Sequence, residues 1–495
     1  MKMLLVYPEI QSSVTNTATY SLPLGLGAIA TFCRKIFSAE LEIKILDGSM
    51  ITHTEQLENL EKFVPHIIGL SPTIASMGNA YDLARRAKEL GAVVVFGGIN
   101  STNLWKQMLT NRSFIDAVVL YEGEEAMEEI IRRWILGKRS TDLLIGIRNV
   151  ACRNEKGDVI GPEEIRVFNL KELPNIDYDL FDLRRYFAQT MTRGFGRALS
   201  YYAGKGCSKR STTKMNSLYV FNEYSQRVRS MNTCSFCGRN ELGFRCLPSD
   251  REKFILQQLH EQYDVRGFFN VQDTVNLTDD TPVELENCWF RLFIGLESIT
   301  RANIDRLMRR YGPNLILQAG VEAATLHVRQ SMGKIPISEE KIFANVEMLA
   351  KQNIQLHASF IFGGRGETKE SMNASASMAK QLANYPNVTW ILISPQLILP
   401  GSPDYLRLLN SSEEMQNKWA STDLIDIVDI NRDFLRHFTR GLSREMILDE
   451  IKSVFADIRS QTLEQQLVLD VKGVIPKEEQ DIAPRRYYCD EDKKQ

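Results

Sequence analysis

Three cysteines have the residue type and the spacing that redox chemistry needs. Cys207 follows a strand-like run that ends in two glycines, ALSYYAGKGCS, and Cys234 and Cys237 form a Cys-x-x-Cys pair around an aromatic residue. In a reducing compartment such a pair indicates metal or redox chemistry. Three thiolates can hold three irons of a 4Fe-4S cluster and leave the fourth iron open for a substrate or cofactor. We therefore predict that all three cysteines are metal ligands.

Zinc is the alternative metal for this cysteine pair. Cys234, Cys237 and nearby Cys246 can form a structural zinc site if a fourth ligand is added. The nearest histidine, His260, lies in a helical pattern, and zinc leaves the strand pattern described below without a role. Cys207 could also be a plain strand-end cysteine. We interpret the remaining cysteines, with Cys246, as buried or incidental thiols: Cys33, Cys152, Cys288 and Cys489.

Short strand patterns alternate with helical patterns in the first 140 residues. We predict strands at residues 3–7, 41–46, 67–70, 92–96 and 117–120. This alternation indicates a parallel, doubly wound (Rossmann-like) sheet, which binds ligands beyond the carboxyl ends of its strands. Four glycines gather at these predicted ends: Gly48, Gly97, Gly98 and Gly123.

The alternation resumes in residues 196–400, after an irregular linker at residues 141–195. The predicted strands are residues 198–203, 267–271, 290–294, 315–319, 356–362 and 390–399. Six (β/α) units form an open, partial version of the eight-fold barrel, with chemistry at the carboxyl ends of the strands. Residues 401–495 are predicted to form a helical cap with a charged, disordered tail, CDEDKKQ. The fold class is therefore α/β, with two separate sheets.

Composition excludes several classes of protein. The 495 residues carry 60 Lys and Arg against 62 Asp and Glu, a net charge of −2, and 43% are hydrophobic. This balance argues against a disordered chain and against a dedicated nucleic-acid-binding domain. No apolar run reaches the ~18 residues of a membrane span. The first residues read as a strand rather than a secretion signal. An oxygen-sensitive 4Fe-4S cluster predicts a cytoplasmic, reducing location.

The order of these motifs carries a family resemblance. The strand-Gly-Cys phrase, followed by Cys-x-Phe-Cys, resembles the radical S-adenosylmethionine (SAM) superfamily. With a doubly wound domain ahead of it, the chain resembles the cobalamin-binding subgroup over roughly residues 1–400. The resemblance implies three cofactors: a 4Fe-4S cluster, SAM bound to its open iron through the amino and carboxylate groups, and cobalamin.

The same resemblance implies a reaction. One-electron reduction of the cluster, by a donor such as flavodoxin or ferredoxin, cleaves SAM to methionine and a 5′-deoxyadenosyl radical. The radical removes hydrogen from an unactivated carbon of a small molecule, methylcobalamin delivers a methyl group, and a second SAM restores methylcobalamin. Two alternatives stay open at this point. One is a cobalamin-dependent cyclisation or rearrangement without methyl transfer, and the other is a non-catalytic cobalamin- or metal-binding scaffold.

The spacing of the cysteines departs from the family pattern. The family usually has three residues between its first two cysteines, whereas 26 residues (208–233) separate Cys207 from Cys234. Lengthening a flexible loop this much costs only ~2 kcal/mol of closure entropy, so the cluster is not forbidden. The gap is equally compatible with a sequence or gene-model artefact. We expect its basic residues to form a solvated surface.

Several residues match positions that bind SAM in the family. Asp273 stands where the family often has an acidic residue for the SAM ammonium, although it could be a helix cap. Two phrases compete for the Gly-x-Glu motif, and strand register favours Glu322 over Glu297. The turn FGGRGET matches the family's Phe-Gly-x-x-Gly-Glu-Thr, with Arg365 in place of the usual proline and Thr368 as a predicted helix cap. Its glycines allow close approach of a ligand to the backbone: Gly363, Gly364 and Gly366.

The cobalamin prediction rests on residues at the strand ends of the first domain. A corrinoid needs a flat, glycine-lined opening at the sheet edge, and five residues are predicted to contribute to it: Ser71, Gly97, Gly98, Glu122 and Gly123. The Asp-x-His-x-x-Gly motif that supplies a cobalt ligand in other cobalamin proteins is absent from the sequence. His53 follows Asp47 by six residues and does not fit that motif. Absence of the motif is usual in the subgroup, but it is also compatible with a domain that has lost cobalamin.

Overall fold

The computed structural model describes residues 1–10, 21–139, 141–192, 195–208, 234–239 and 243–462. The predicted charged tail lies outside these residues, as does the insertion between Cys207 and Cys234 apart from residue 208. Within the part of the chain that is described, no helix combines the length and the apolar character that a membrane crossing requires.

The N-terminal sheet has the strand order β2-β1-β3-β4-β5-β6-β7. Its strands are β1 (Lys2–Tyr7), β2 (Glu42–Asp47), β3 (Ile67–Leu70), β4 (Val93–Phe96), β5 (Ala117–Val119), β6 (Val150–Arg153) and β7 (Val159–Ile160). The first five strands are parallel, as predicted, whereas β6 and β7 are antiparallel and fall within the predicted linker. The order reverses at β1, which lies between β2 and β3, and ligands bind at the carboxyl ends beside such a reversal.

Helices cover both faces of this sheet, because alternate residues of a buried strand point to opposite faces. Leu4 and Val6 of β1 lie in one core cluster, and Met3 and Leu5 lie in another. The helices of this half are α1 (Leu24–Phe37), α2 (His53–Phe63), α3 (Met77–Glu89), α4 (Gly98–Asn111), α5 (Glu124–Ile135), α6 (Thr141–Leu144) and α7 (Leu183–Thr192). The predicted doubly wound domain is confirmed.

The second sheet is an open barrel of six parallel strands in the order β15-β14-β13-β12-β11-β8. The strands are β8 (Ala198–Tyr201), β11 (Gly267–Asn270), β12 (Trp289–Phe293), β13 (Leu315–Glu322), β14 (Gln355–Phe362) and β15 (Val388–Pro395). Each of them overlaps a predicted strand, so the partial (β/α)6 barrel is confirmed. A short antiparallel pair, β9 (Gly204–Lys205) and β10 (Arg245–Cys246), lies on the segment that leads from β8 to Cys207.

Amphipathic helices cover the outer face of the barrel, and aromatic residues fill part of its interior. The helices are α8 (Ser249–Tyr263), α9 (Arg301–Tyr311), α10 (Leu326–Ser331), α11 (Glu339–Ala350) and α12 (Lys369–Ala383). Inside, Phe269 and Trp289 pack against Phe195. The C-terminal helices are α13 (Pro403–Leu409), α14 (Glu413–Trp419), α15 (Ile427–Phe438) and α16 (Arg444–Thr462). Of these, α16 packs on α12 and β15, so the C-terminal region is attached to the last barrel strand.

Candidate functional site

A cavity lies at the carboxyl ends of β1, β3, β4 and β5, beside the reversal of strand order. It holds about 630 Å³ of empty space, part of it open to solvent. All five residues that the sequence predicted for the corrinoid site line it: Ser71, Gly97, Gly98, Glu122 and Gly123. Lys205, from the barrel half of the chain, completes the lining. The structure therefore brings the predicted residues together and adds one that the sequence did not indicate.

Two glycines of this cavity are required by the close approach of neighbouring side chains. Gly98 has a φ of +83°, and a Cβ atom there would lie 2.6 Å from the Ser71 Oγ atom. A Cβ atom on Gly123 would lie 2.8 Å from the Ile29 Cδ1 atom. Contacts this short force a shift of the neighbours, so glycine keeps the cavity wall thin and the backbone exposed to a ligand.

We expect Gly98→Ala to weaken corrinoid binding at least tenfold, because the new methyl group combines a left-handed φ with the clash against Ser71. Gly91→Ala is the matched control. Gly91 has the same φ of +83° but has nothing within 4 Å of a Cβ atom, and it lies away from the cavity. Titration of both variants with hydroxocobalamin, followed by absorbance, measures the change. Equal affinities for the two variants would show that the corrinoid lies elsewhere.

Buried ion pairs join the cavity to the barrel. The Lys205 Nζ atom lies 3.1 Å from Glu122 Oε1 and 3.3 Å from Glu124 Oε1, and Arg245 Nη2 lies 2.5 Å from the same Glu122 oxygen. Burial alone would raise the pKa of Glu122, but Lys205 and Arg245 outweigh it and hold that pKa below its usual range. Burial would likewise lower the pKa of Lys205, yet the glutamates raise it. Both groups therefore stay charged at neutral pH.

The two cysteine segments meet at the residues that follow β11. Ser208, next to Cys207, donates its backbone N–H to the Thr274 Oγ1 atom at 3.0 Å. Arg239, two residues after Cys237, forms an ion pair with Asp273 at 2.9 Å. Since Asp273 and Thr274 are neighbours in the chain, both segments lie at the same end of the barrel.

None of the three thiols forms a disulfide with another described residue; all three are partly buried, and their donor set fits an iron–sulfur cluster. Cys237 donates its backbone N–H to the Cys234 carbonyl oxygen at 3.1 Å, which folds the pair into a tight turn. Across the described ranges, no three His, Cys, Asp or Glu side chains are close enough to hold a single metal ion. A cluster places irons and sulfides between its thiolates, so its ligands can stand farther apart than those of one ion.

Among the described residues, no further side chain is placed to complete a zinc site with Cys234 and Cys237. Cys246 lies on β10, where its Sγ atom accepts a hydrogen bond from Gln272 Nε2 at 3.3 Å. The Nδ1 atom of His260 faces the Val265 carbonyl oxygen, 2.9 Å away, and the Cys288 thiol.

His53, the first residue of α2, lies 3.7 Å from Asp82 and does not line the corrinoid cavity.

Lys334 is a second residue of the candidate site that the sequence did not indicate. Its Nζ atom forms an ion pair of 2.8 Å with Glu322. The same atom lies 5.8 Å from the centre of the ring of Phe236, the residue that precedes Cys237 in the cysteine turn. Burial lowers the pKa of Lys334, but Glu322, Cys234 and Glu297 raise it above its ordinary value. The signal in the sequence was the phrase VRQSMGK, whose last residue is this lysine.

Both candidate glutamates of the Gly-x-Glu motif therefore belong to one charged centre. Glu322 has a φ of +63° at the end of β13 and is 5% exposed. A Cβ atom on Gly320 would lie 2.0 Å from Glu322 Oε1 and 3.0 Å from Lys334 Nζ. A Cβ atom on Gly295 would lie 2.4 Å from Glu297 Oε1. In each phrase the glycine leaves the space that its glutamate occupies.

Asp273 lies at this end of the barrel, as predicted, but it is already paired with Arg239. Its carboxylate is 15% exposed. A SAM ammonium at Asp273 would therefore share the carboxylate with the guanidinium or displace it.

The glycine turn after β14 encloses a buried carboxylate. Gly363 and Gly364 donate their backbone N–H groups to Glu367 Oε2 at 2.5 and 3.1 Å, and Gly363 and Gly366 have φ angles of +87° and +79°. Arg365, which replaces the family's proline, donates to the Ser331 carbonyl oxygen at 2.6 Å. The predicted cap is confirmed, because Thr368 accepts from the N–H of Ser371, in the first turn of α12.

We expect Glu367 to make folding stability depend on pH. Burial raises its pKa to about 7, against two hydrogen bonds from the backbone that lower it. Because the folded-state pKa lies above the unfolded value of 4.5, the folded chain binds the extra proton. The contribution is fully present below pH 4.5 and is lost as the pH rises to about 7, a change of about 3 kcal/mol.

Urea unfolding of wild type and Glu367→Gln, compared at pH 5 and pH 7.5, checks this expectation. The wild type should lose about 2.4 kcal/mol relative to the variant between the two values, since part of the contribution is already lost at pH 5. Glu347→Gln, which changes an exposed carboxyl group on α11, is the control. Parallel pH profiles for wild type and Glu367→Gln would refute the assignment.

The last barrel strand leads to a turn that packs on the cysteine pair. A Cβ atom on Gly238 would lie 2.7 Å from the Leu399 Cβ atom, so this position tolerates little beyond glycine. Asn103, from α4 of the N-terminal half, donates to the carbonyl oxygens of Gly238 and Pro400 at 3.2 and 2.9 Å. The cysteine turn is therefore held by both halves of the chain.

Comparison with known proteins agrees with this arrangement. Residues 12–131 match the B12 binding domain family. An uncharacterized methyltransferase of Pyrococcus horikoshii is 27% identical over 400 residues, which cover 77% of this chain and 78% of that protein. The anaerobic magnesium-protoporphyrin IX monomethyl ester cyclase of Rubrivivax gelatinosus is 20% identical over 410 residues, 80% of this chain and 68% of the cyclase.

Solved structures share the fold. The radical S-adenosylmethionine methyltransferase TsrM from Kitasatospora setae, solved with cobalamin and a 4Fe-4S cluster bound, aligns with a TM-score of 0.58 at 15% identity. The alignment covers 81% of this chain and 73% of TsrM. A second TsrM structure, with tryptophan substrate and the SAM analogue aza-SAM bound, also aligns with a TM-score of 0.58, at 16% identity. This alignment covers 81% of this chain and 74% of TsrM.

Proposed function

We propose that this chain, which belongs to the cobalamin-binding radical SAM enzymes, transfers a methyl group to an unactivated carbon of a small molecule. The observation that carries the proposal is the position of Lys205. It lines the glycine-walled cavity of the N-terminal half, and it lies two residues before Cys207 at the barrel end. Only Gly206 would therefore separate a residue of the corrinoid site from a ligand of the cluster.

The cofactors supply the difficult chemistry and the protein positions them. When bound, a reduced 4Fe-4S cluster would cleave SAM to a 5′-deoxyadenosyl radical, and a corrinoid would carry the methyl group. Cys207, Cys234 and Cys237 would hold the cluster. A small electron-transfer protein of the flavodoxin or ferredoxin kind would deliver the electron.

The charged centre around Lys334 fits the polar end of SAM. SAM presents a carboxylate and an ammonium group together, and charge-assisted hydrogen bonds to such groups are the strong ones. Lys334 would bind the carboxylate, and Glu322, with Glu297 beside it, would bind the ammonium. The proximity of this centre to Cys234 supports the assignment, because SAM must reach the open iron. The turn at Gly363, Gly364 and Gly366, and Asp273, remain proposed contacts.

A second candidate function is cyclisation or rearrangement without methyl transfer. It is favoured by the similarity to the magnesium-protoporphyrin ester cyclase, which covers 80% of this chain. A third candidate, a cofactor-binding scaffold without turnover, would use the same cavity and cysteines but cleave no SAM.

One experiment separates the three. Protein reconstituted with iron, sulfide and hydroxocobalamin is incubated anaerobically with methyl-labelled SAM and dithionite. The methyltransferase proposal predicts that label moves to the corrinoid and that 5′-deoxyadenosine is released. Release of 5′-deoxyadenosine without any movement of label would favour the cyclase. A protein that binds the cofactors and does neither would be a scaffold.

A further inference from the structure

Ser235, the first of the two residues between the paired cysteines, has a hydrogen bond at each of its polar groups. Ser235 is 2% exposed. Its backbone N–H donates to the Met332 carbonyl oxygen at 2.8 Å, and its carbonyl oxygen accepts from the Asp404 N–H at 2.9 Å. Its hydroxyl donates to the Asp404 Oδ2 atom at 2.7 Å. Asp404 therefore supplies two of the three hydrogen bonds that fix the middle of the cysteine turn.

Asp404 is itself fully buried and fully engaged. It lies in α13 with no exposed surface. Its Oδ2 atom also accepts from Gln396 Nε2 at 2.7 Å, and its Oδ1 atom accepts from Arg407 Nη1 at 2.8 Å. A buried carboxylate with this many donors is costly to disturb, because losing it leaves the donors unpaired in an apolar setting.

The hydrogen bonds continue into the C-terminal helices. The Gln396 carbonyl oxygen accepts from Asn431 Nδ2 of α15 at 2.7 Å, and Asn431 Oδ1 accepts from Arg444 Nη1 of α16 at 3.2 Å. Gln396 and Asn431 have no exposed surface. A continuous buried polar network thus runs from the cysteine turn to the start of α16.

We propose that Asp404 is the positioning residue of the cysteine turn, and that the C-terminal helices are thereby part of the cluster site. This inference rests on the proposed function. Asp404 holds Ser235, and Ser235 fixes the backbone from which the thiols of Cys234 and Cys237 project. Residues that orient metal ligands in this way typically contribute 10–100-fold to metal retention or activity. The buried negative charge also opposes the gain of an electron by a group bound to the turn.

Release of iron to a chelator from the reconstituted full-length protein tests the positioning role. Asp404→Ala and Ser235→Ala should release iron about 10–100 times faster than wild type. Ser235→Ala removes one hydroxyl only, so it tests the turn even if Asp404→Ala does not fold. Asp423→Ala is the matched control. Asp423 is also buried and accepts from an arginine and a tyrosine, but it contacts α3 and α4 rather than the cysteine turn.

The reduction potential gives a readout that a purely structural role would not move. Asp404→Asn keeps a side-chain oxygen for Ser235 and removes the charge, so it should retain iron and raise the midpoint potential measured by electron paramagnetic resonance. Wild-type iron release in both Asp404→Ala and Ser235→Ala would overturn the proposal, as would equal loss in Asp423→Ala or an unshifted potential in Asp404→Asn. A wild type that takes up no cluster would overturn the proposed function, and this inference with it.

Discussion

Cys237→Ala should hold no 4Fe-4S cluster and should release 5′-deoxyadenosine at less than about 1% of the wild-type rate. The reason is that a direct ligand, which we propose Cys237 to be, contributes more than the 10–100-fold typical of residues that only support a ligand. Cys207→Ala should have the same effect, because Ser208 and Arg239 bring both cysteine segments to adjacent residues after β11. Iron content and the electron paramagnetic resonance signal of the reduced protein measure the loss.

Cys246→Ala is the matched control for the cysteine variants. Cys246 is a partly buried thiol near the same loop, but its Sγ atom is engaged by Gln272. We expect wild-type iron content from it. A zinc site built on Cys234, Cys237 and Cys246 predicts the reverse, with one zinc in the wild type and none in Cys246→Ala. Full iron content in Cys207→Ala would show that the insertion removes the third thiolate from the cluster.

Lys334→Met should raise the dissociation constant for SAM about 30-fold or more, since truncating one partner of a buried charge pair costs 2 kcal/mol or more. The substitution removes the proposed partner of the SAM carboxylate and leaves Glu322 buried without its ion pair. It should also lower the free energy of unfolding by about 3–5 kcal/mol. Anaerobic calorimetric titration with SAM and urea unfolding measure the two effects separately.

Two variants isolate the role of the lysine in binding. Lys334→Arg keeps the charge and should recover most of the affinity. Lys380→Met breaks a partly exposed ion pair with Asp457, which should cost about 0–1 kcal/mol of stability and leave SAM binding unchanged. If Lys334→Met binds SAM like the wild type and is only less stable, the lysine supports the barrel and does not touch SAM.

The strands could be predicted from the sequence because short apolar runs between helical patterns indicate buried parallel strands directly. The predicted strand at residues 67–70 coincides with β3. The predicted strand at residues 315–319 ends three residues early, since β13 continues through Gly320 to Glu322. That extension is decided by packing at the barrel end, where Glu322 adopts a positive φ beside Lys334. Local sequence preference does not encode such a conformation.

Contacts between distant residues could not be predicted. Lys205 meets Glu124 from 81 positions away, and Ser235 meets Asp404 from 169 positions away. Strand patterns place residues at an edge of a sheet, but the relative positions of two sheets decide which side chains pair across them. For the same reason Asp273 was placed correctly at a strand end, while its partner Arg239 was not foreseen.

The measurement that tests the central claim most directly is the release of 5′-deoxyadenosine from full-length protein reconstituted anaerobically with iron and sulfide, then given SAM and dithionite. We predict release from the wild type, falling to background in Cys207→Ala and in Cys237→Ala. A wild type that holds four irons per chain and binds SAM but releases no 5′-deoxyadenosine would contradict the claim that this barrel cleaves SAM.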